Sequence, residues 1–72
     1  MPRRPVVSGA KIIRALERLG FRQVRQRGSH IVMRKDAWGC VVQMHREVRA
    51  GTLATIIRQA GLQPDEFFDA LQ

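Results

Sequence analysis

One imidazole set among fixed cations is the arrangement in this chain most capable of chemistry: Arg25-Gln26-Arg27-Gly28-Ser29-His30, followed by Ile31-Val32-Met33-Arg34. Between Arg18 and Lys35 the chain carries six cationic side chains (Arg18, Arg22, Arg25, Arg27, Arg34, Lys35) and no Asp or Glu. Such a field attracts a polyanion and disfavours a second proton on His30. A neutral imidazole beside guanidinium donors can accept a proton from a sugar hydroxyl while those donors stabilise charge developing on phosphorus. Gly28 allows an RNA backbone to come close, Ser29 offers a hydroxyl to a phosphate, and Arg25, Arg27 and Arg34 are candidate phosphate ligands. The chemistry expected of this segment is RNA cleavage.

The remaining candidates carry less. His45 is either a second proton-transfer group or a histidine that orders the turn after a strand, and the second reading is favoured because such side chains commonly satisfy backbone groups. Lys11, Arg14 and Arg18 recur at three- and four-residue intervals, a basic stripe that is as good a candidate for phosphate contact as for a solvated helix face. Trp38, expected in a turn, is read as a packing or partner contact in preference to a base-stacking surface. Cys40 is expected to be a small buried strand residue, since no charged base is fixed beside it by spacing.

These side chains need a scaffold, and 72 residues allow one small domain, near the size at which a single core stands alone without a partner. A hydrophobic content of 44% is that of a folded domain despite the net charge of +7. That charge points to nucleic acid, or to an acidic protein that masks the same surface. One cysteine excludes an internal disulfide and suits a reducing cytoplasm, and two histidines give no Cys/His cluster at metal-ligand spacing, so no metal or other cofactor is expected. Residues 1–7 read as an extended basic arm and residues 8–72 as the domain; the arm's apolar stretch is too short for a signal peptide or a membrane span.

Within the domain, Ser8 is a candidate N-cap for a helix carrying Ile12, Ile13, Leu16 and Leu19 and stopped by Gly20. Phe21 to Arg27, Ser29 to Arg34 and Cys40 to Met44 read as three strands separated by Gly28 and by Lys35-Asp36-Ala37-Trp38-Gly39. Alternation sends Ile31 and Met33 to one side and His30, Val32 and Arg34 to the other, and places Arg25 and Arg27 on a common face. Thr52 is a candidate cap for a second helix with an apolar face of Leu53, Ile56, Ile57 and Ala60, ended by Gly61. Pro64 suits the first turn of a short last helix with Asp65 and Glu66 at its positive end and Phe67, Phe68 and Leu71 turned inward. The expectation is an α+β domain of order α-β-β-β-α plus a terminal helix, with a three-stranded antiparallel sheet covered by helices on one face, leaving His30 and Arg34 on the open face.

Taken together, several stretches resemble the HicA family of bacterial toxins: Ser8-Gly9-Ala10-Lys11, Leu19-Gly20-Phe21, the Arg25 to His30 run, His45, Gly51-Thr52-Leu53, and Ile56 and Ile57 leading into Arg58-Gln59-Ala60-Gly61. The resemblance spans nearly the whole chain, and Gly28-Ser29-His30 within an Arg-rich strand pair is its most specific part. It implies a fold like the double-stranded RNA-binding domain, metal-independent cleavage of mRNA by a catalytic histidine at position 30, and neutralisation by an antitoxin of the HicB type, in a complex that can be of higher order. One departure stands out: family members commonly read Val-Pro-x-His at the end of the third strand, and this chain reads Val42-Gln43-Met44-His45. The expected function is that of an mRNA interferase toxin with His30 catalytic, Arg25, Arg27, Ser29, Arg34 and Lys11 on RNA, and His45 secondary. Its rivals are a non-catalytic RNA-binding module of the same fold and an interaction protein whose basic face meets an acidic partner.

Overall fold

The computed structural model describes residues 7–72, in the order α1 (Gly9–Arg18), β1 (Arg22–Arg27), β2 (His30–Lys35), β3 (Trp38–Gln43), α2 (Ala50–Gln59) and α3 (Pro64–Leu71). The three strands form one antiparallel sheet in the order β1-β2-β3, and the helices gather on one of its faces, giving the expected α+β, double-stranded-RNA-binding-domain-like arrangement. Ile31 and Met33 of β2 and Cys40 and Val42 of β3 supply the covered face. Against them lie Ile12, Ile13 and Leu16 of α1, Leu53, Ile56 and Ile57 of α2, and Phe67 of α3. Among the described residues no polar or charged side chain is buried, so burial of apolar area carries the core. Among the described residues no helix is long and apolar enough to cross a membrane.

Local signals account for most of the element ends. Ser8 caps α1 by accepting from the Lys11 N–H at 3.2 Å, as its type predicts. Both glycine stops are Schellman turns: Phe21 N–H donates to Leu16 C=O beyond Gly20, and Leu62 N–H to Ile57 C=O beyond Gly61. Gly20 and Gly61 have φ of 98° and 70°, the left-handed backbone such a turn requires. On α3, Pro64 opens the helix and Gln63 and Glu66 form a reciprocal capping box, with Gln63 N–H donating to Glu66 Oε1 at 2.9 Å.

Four expectations are corrected. Thr52 does not cap α2: the helix starts two residues earlier at Ala50 behind Arg49, anchored by buried Val48 and not by a side-chain cap. Val7 does not belong to an arm: it is 5% exposed and pairs antiparallel with Val48, whose N–H donates to its carbonyl at 2.8 Å, while residues 1–6 lie outside those described. Trp38 is the first residue of β3, because Asp36 at φ 53° closes the turn with Ala37 alone; its indole lies so close to Gly61 that a Cβ there would meet the ring at 2.6 Å. Phe68 is 41% exposed and meets buried Phe67 edge to face, with ring centroids 5.7 Å apart.

Helix α1 enters the sheet at a glycine for a steric reason. Gly9 is buried, its N–H donates to the His45 carbonyl at 2.9 Å, and a Cβ on it would overlap the Gln43 carbonyl oxygen and sit 2.9 Å from Met44 Cα. Backbone cannot move aside as a flexible side chain does, so Gly9→Ala is expected to cost about 1–3 kcal/mol by overpacking. Urea unfolding of the two proteins measures it, with an unchanged midpoint being the contrary result.

Candidate functional site

Strand register decides which cations share the open face. In β1 and β2, Arg22 opposes Arg34, Arg25 opposes Val32 and Arg27 opposes His30. An irregularity between Gln23 and Arg25 puts an extra residue into β1 at that point. Two-residue alternation would otherwise send Arg22 to the opposite side from Arg25 and Arg27; the extra residue brings all three arginines to the side of His30 and Arg34. Directly opposed residues stand with their Cβ atoms about 4.5–5.5 Å apart, which sets the Arg27 guanidinium within reach of a group bound at the imidazole.

The six cations of the central segment thereby divide. Arg18 donates through Nη1 to the carbonyls of Ala70, at 2.6 Å, and Gln72, at 2.9 Å, holding the C-terminal end of α3. Lys35 donates from Nζ to the Leu19 carbonyl at 2.8 Å, at the end of α1. Those two are structural, and Arg22, Arg25, Arg27 and Arg34 remain on the open face with exposed side chains. Arg22 is the site candidate that reading the strands by alternation misses, and the irregularity that recruits it leaves no mark in residue types.

His30 is exposed at the start of β2, immediately after the Gly28-Ser29 turn, in which Gly28 has φ 59° and nothing within 4 Å of where its side chain would be. The Ser29 carbonyl accepts from Met44 N–H at 2.8 Å, which ties the turn to the end of β3. Across the sheet His30 opposes Gln43, and the Gln43 amide nitrogen lies 3.1 Å from His30 Nε2. Gln43 is the second residue that residue types alone do not single out.

Val24 and Val41, each 45% exposed, and half-buried Val32 line a shallow hollow with Arg25, Arg34, Gly39, Cys40 and Gln59. The face is thus apolar as well as cationic, suited to flat unsaturated rings as well as to phosphate.

Lys11 and His45 stand apart from that face. Lys11 is exposed on the first turn of α1, the helix packed on the covered side of the sheet. His45 contributes its backbone, accepting from Gly9 N–H and donating to Gln43 C=O, each at 2.9 Å, and the residue lines a small cavity with Gln43, Glu47 and Thr52. Burial pushes the Cys40 thiol up from 9.0 to about 11, leaving it protonated at neutral pH and unsuited to act as a nucleophile. Among the described residues no three His, Cys, Asp or Glu side chains cluster as metal ligands would.

No curated protein matches the chain. A family model described as the HicA toxin of bacterial toxin-antitoxin systems matches residues 9–62, from the first residue of α1 through the turn that ends α2. With a match that takes in the whole sheet, the Gly28-Ser29-His30 turn and most of the core, the chain belongs to the HicA toxin family and is by that membership the toxin partner of a cognate antitoxin.

Proposed function

We propose that the protein is a metal-independent endoribonuclease that cleaves mRNA in the cytoplasm, with His30 as its catalytic residue. The observation that carries this reading is the register pair Arg27 and His30 on an open face that also holds Arg22, Arg25 and Arg34. Neutral His30 takes the proton of a ribose 2′-hydroxyl, the 2′ oxygen attacks the adjacent phosphorus, and the 5′ oxygen leaves and takes up a proton from solvent, giving a 2′,3′-cyclic phosphate and a 5′-hydroxyl end. Guanidinium groups grip the phosphate oxygens through paired donors and stabilise the charge that builds on them. The Ser29 hydroxyl, one residue away in the turn, positions the scissile phosphate, and Lys11 meets phosphates farther along the chain. His45 orders the strand end that faces α1.

A defined single-stranded RNA and the same sequence carrying a 2′-deoxy residue at the cut site test this in excess chelator. The expected result is cleavage of the first with a cyclic phosphate end and none of the second at that position. Cutting of the 2′-deoxy substrate at the target site overturns the mechanism. Salt-sensitive binding of RNA with no cutting selects the non-catalytic RNA-binding module, which the same four arginines would serve equally well.

A further inference from the structure

We propose that Gln43 is a positioning residue for His30, setting which ring nitrogen faces the RNA; the inference rests on the catalytic role proposed for His30. The two residues are a direct cross-strand pair of β2 and β3, and their side chains meet at 3.1 Å between Gln43 Nε2 and His30 Nε2. An amide nitrogen carries hydrogens and no available lone pair, so in this contact Gln43 donates and His30 accepts. In that arrangement the hydrogen of the neutral ring lies on Nδ1 and no ring lone pair is free for a 2′-hydroxyl, so the reacting ring needs the amide turned the other way.

Gln43 is well placed to impose an orientation because it is held more firmly than its partner. It is half-buried where His30 is exposed. Its carbonyl accepts from His45 N–H at 2.9 Å and abuts Gly9, and the next residue, Met44, donates to the Ser29 carbonyl at 2.8 Å. Strand, helix and turn all fix the backbone from which the amide reaches the ring. On the open face the other charged groups near the imidazole are cations, Arg27 from β1 and Arg25 and Arg34 beyond it, and none of them can accept from an imidazole N–H. Glu47 shares a small cavity with Gln43 and His45 beyond the end of β3.

An amide is suited to both protonation states of the ring. A half-turn about its terminal torsion exchanges nitrogen for oxygen in nearly the same place. The oxygen then accepts from Nε2–H, leaving the Nδ1 lone pair directed at the substrate. When the 2′-hydroxyl proton moves to Nδ1, the ring becomes imidazolium, and its Nε2–H stays bonded to the amide oxygen. One proton has moved from oxygen to nitrogen, and nothing else is gained or lost. The orientation is kept without adding a negative charge that would repel the phosphate.

The test combines ¹⁵N spectra of the imidazole in the free protein with single-turnover cleavage by wild type, Gln43→Ala and Gln43→Glu. For Gln43→Ala we expect a shift of His30 toward a mixture of both tautomers, a cleavage rate down by about tenfold and RNA affinity within about twofold of wild type, as misorientation of one reacting group predicts. Gln43→Glu, whose carboxylate accepts from Nε2–H, should weaken RNA binding by its added negative charge but keep the single-turnover rate at saturating RNA within about threefold. Unchanged tautomer populations and rate in Gln43→Ala overturn the proposal, as do equal losses in both variants, which mark a purely structural residue. Wild-type cleavage by His30→Ala removes instead the reading on which the proposal rests, and the ¹⁵N spectra still report whether Gln43 sets the ring.

Discussion

Replacing His30 with alanine should lower the RNA cleavage rate by about 10²–10⁴-fold, the usual contribution of a positioned proton-transfer group, while RNA affinity falls by no more than about threefold. The two effects separate because different side chains carry them. Binding belongs to the arginines of the open face, each phosphate neutralised on a single strand adding about −0.7 to the slope of log affinity against log salt, and none of the four is altered. Stability should hardly move either: His30 is exposed, and among the described residues its side chain hydrogen-bonds to the Gln43 amide at a solvent-facing site. Single-turnover cleavage, RNA retention over a salt series and thermal unfolding of the same preparation give all three quantities. A variant that folds, binds and cuts at the wild-type rate would remove His30 from the chemistry. A variant that also loses binding would place the imidazole among the phosphate ligands.

Replacing Phe67 with alanine should unfold much of the protein. The side chain is 0% exposed and heads the fully buried ones by size, and losing an aromatic ring from such a site typically costs about 3–5 kcal/mol. A domain of this length has only about 4–11 kcal/mol of total stability, at roughly 0.05–0.15 kcal/mol per residue. With about 4–8 °C lost per kcal/mol in domains of this size, the thermal midpoint should fall by more than about 12 °C. Phe68→Ala is the internal control: that ring is 41% exposed, and its edge-to-face contact with Phe67 is worth about 0.5–1.5 kcal/mol. Equal midpoints for the two variants would contradict the assignment of Phe67 to the core. Because the antitoxin binds only folded toxin under simple linkage, its addition should recover part of the lost midpoint.

The order of elements was legible in the residues because each signal is local. Serine before an apolar period, glycine after it and proline in a first turn dictate backbone conformation within a few residues, and α1, the end of α2 and α3 follow them. Where an end is set by distant packing the same reasoning misplaces it: α2 begins at Ala50 because Val48 pairs with Val7 from before α1, a contact no window around Thr52 contains. Phe67 and Phe68 are identical in type and adjacent, so composition cannot distinguish them; the packing of α3 against the rest of the core decides which ring is covered.

The site divides along the same line. By itself the sequence determined the charge, the Gly28-Ser29-His30 turn and the common face of His30, Val32 and Arg34, because a strand's period of two needs no partner. Tertiary structure decided which cations are free. Arg18 is taken up by carbonyls 52 and 54 residues away and Lys35 by the end of α1, while an extra residue in β1 turns Arg22 toward the histidine. It also decided that Gln43 meets His30, through a strand register spanning 13 residues. A side chain's type states which bonds it can make; the partner it finds depends on the three-dimensional path of the chain, because hydrogen bonds and ion pairs act over a few ångströms of space and not along the sequence.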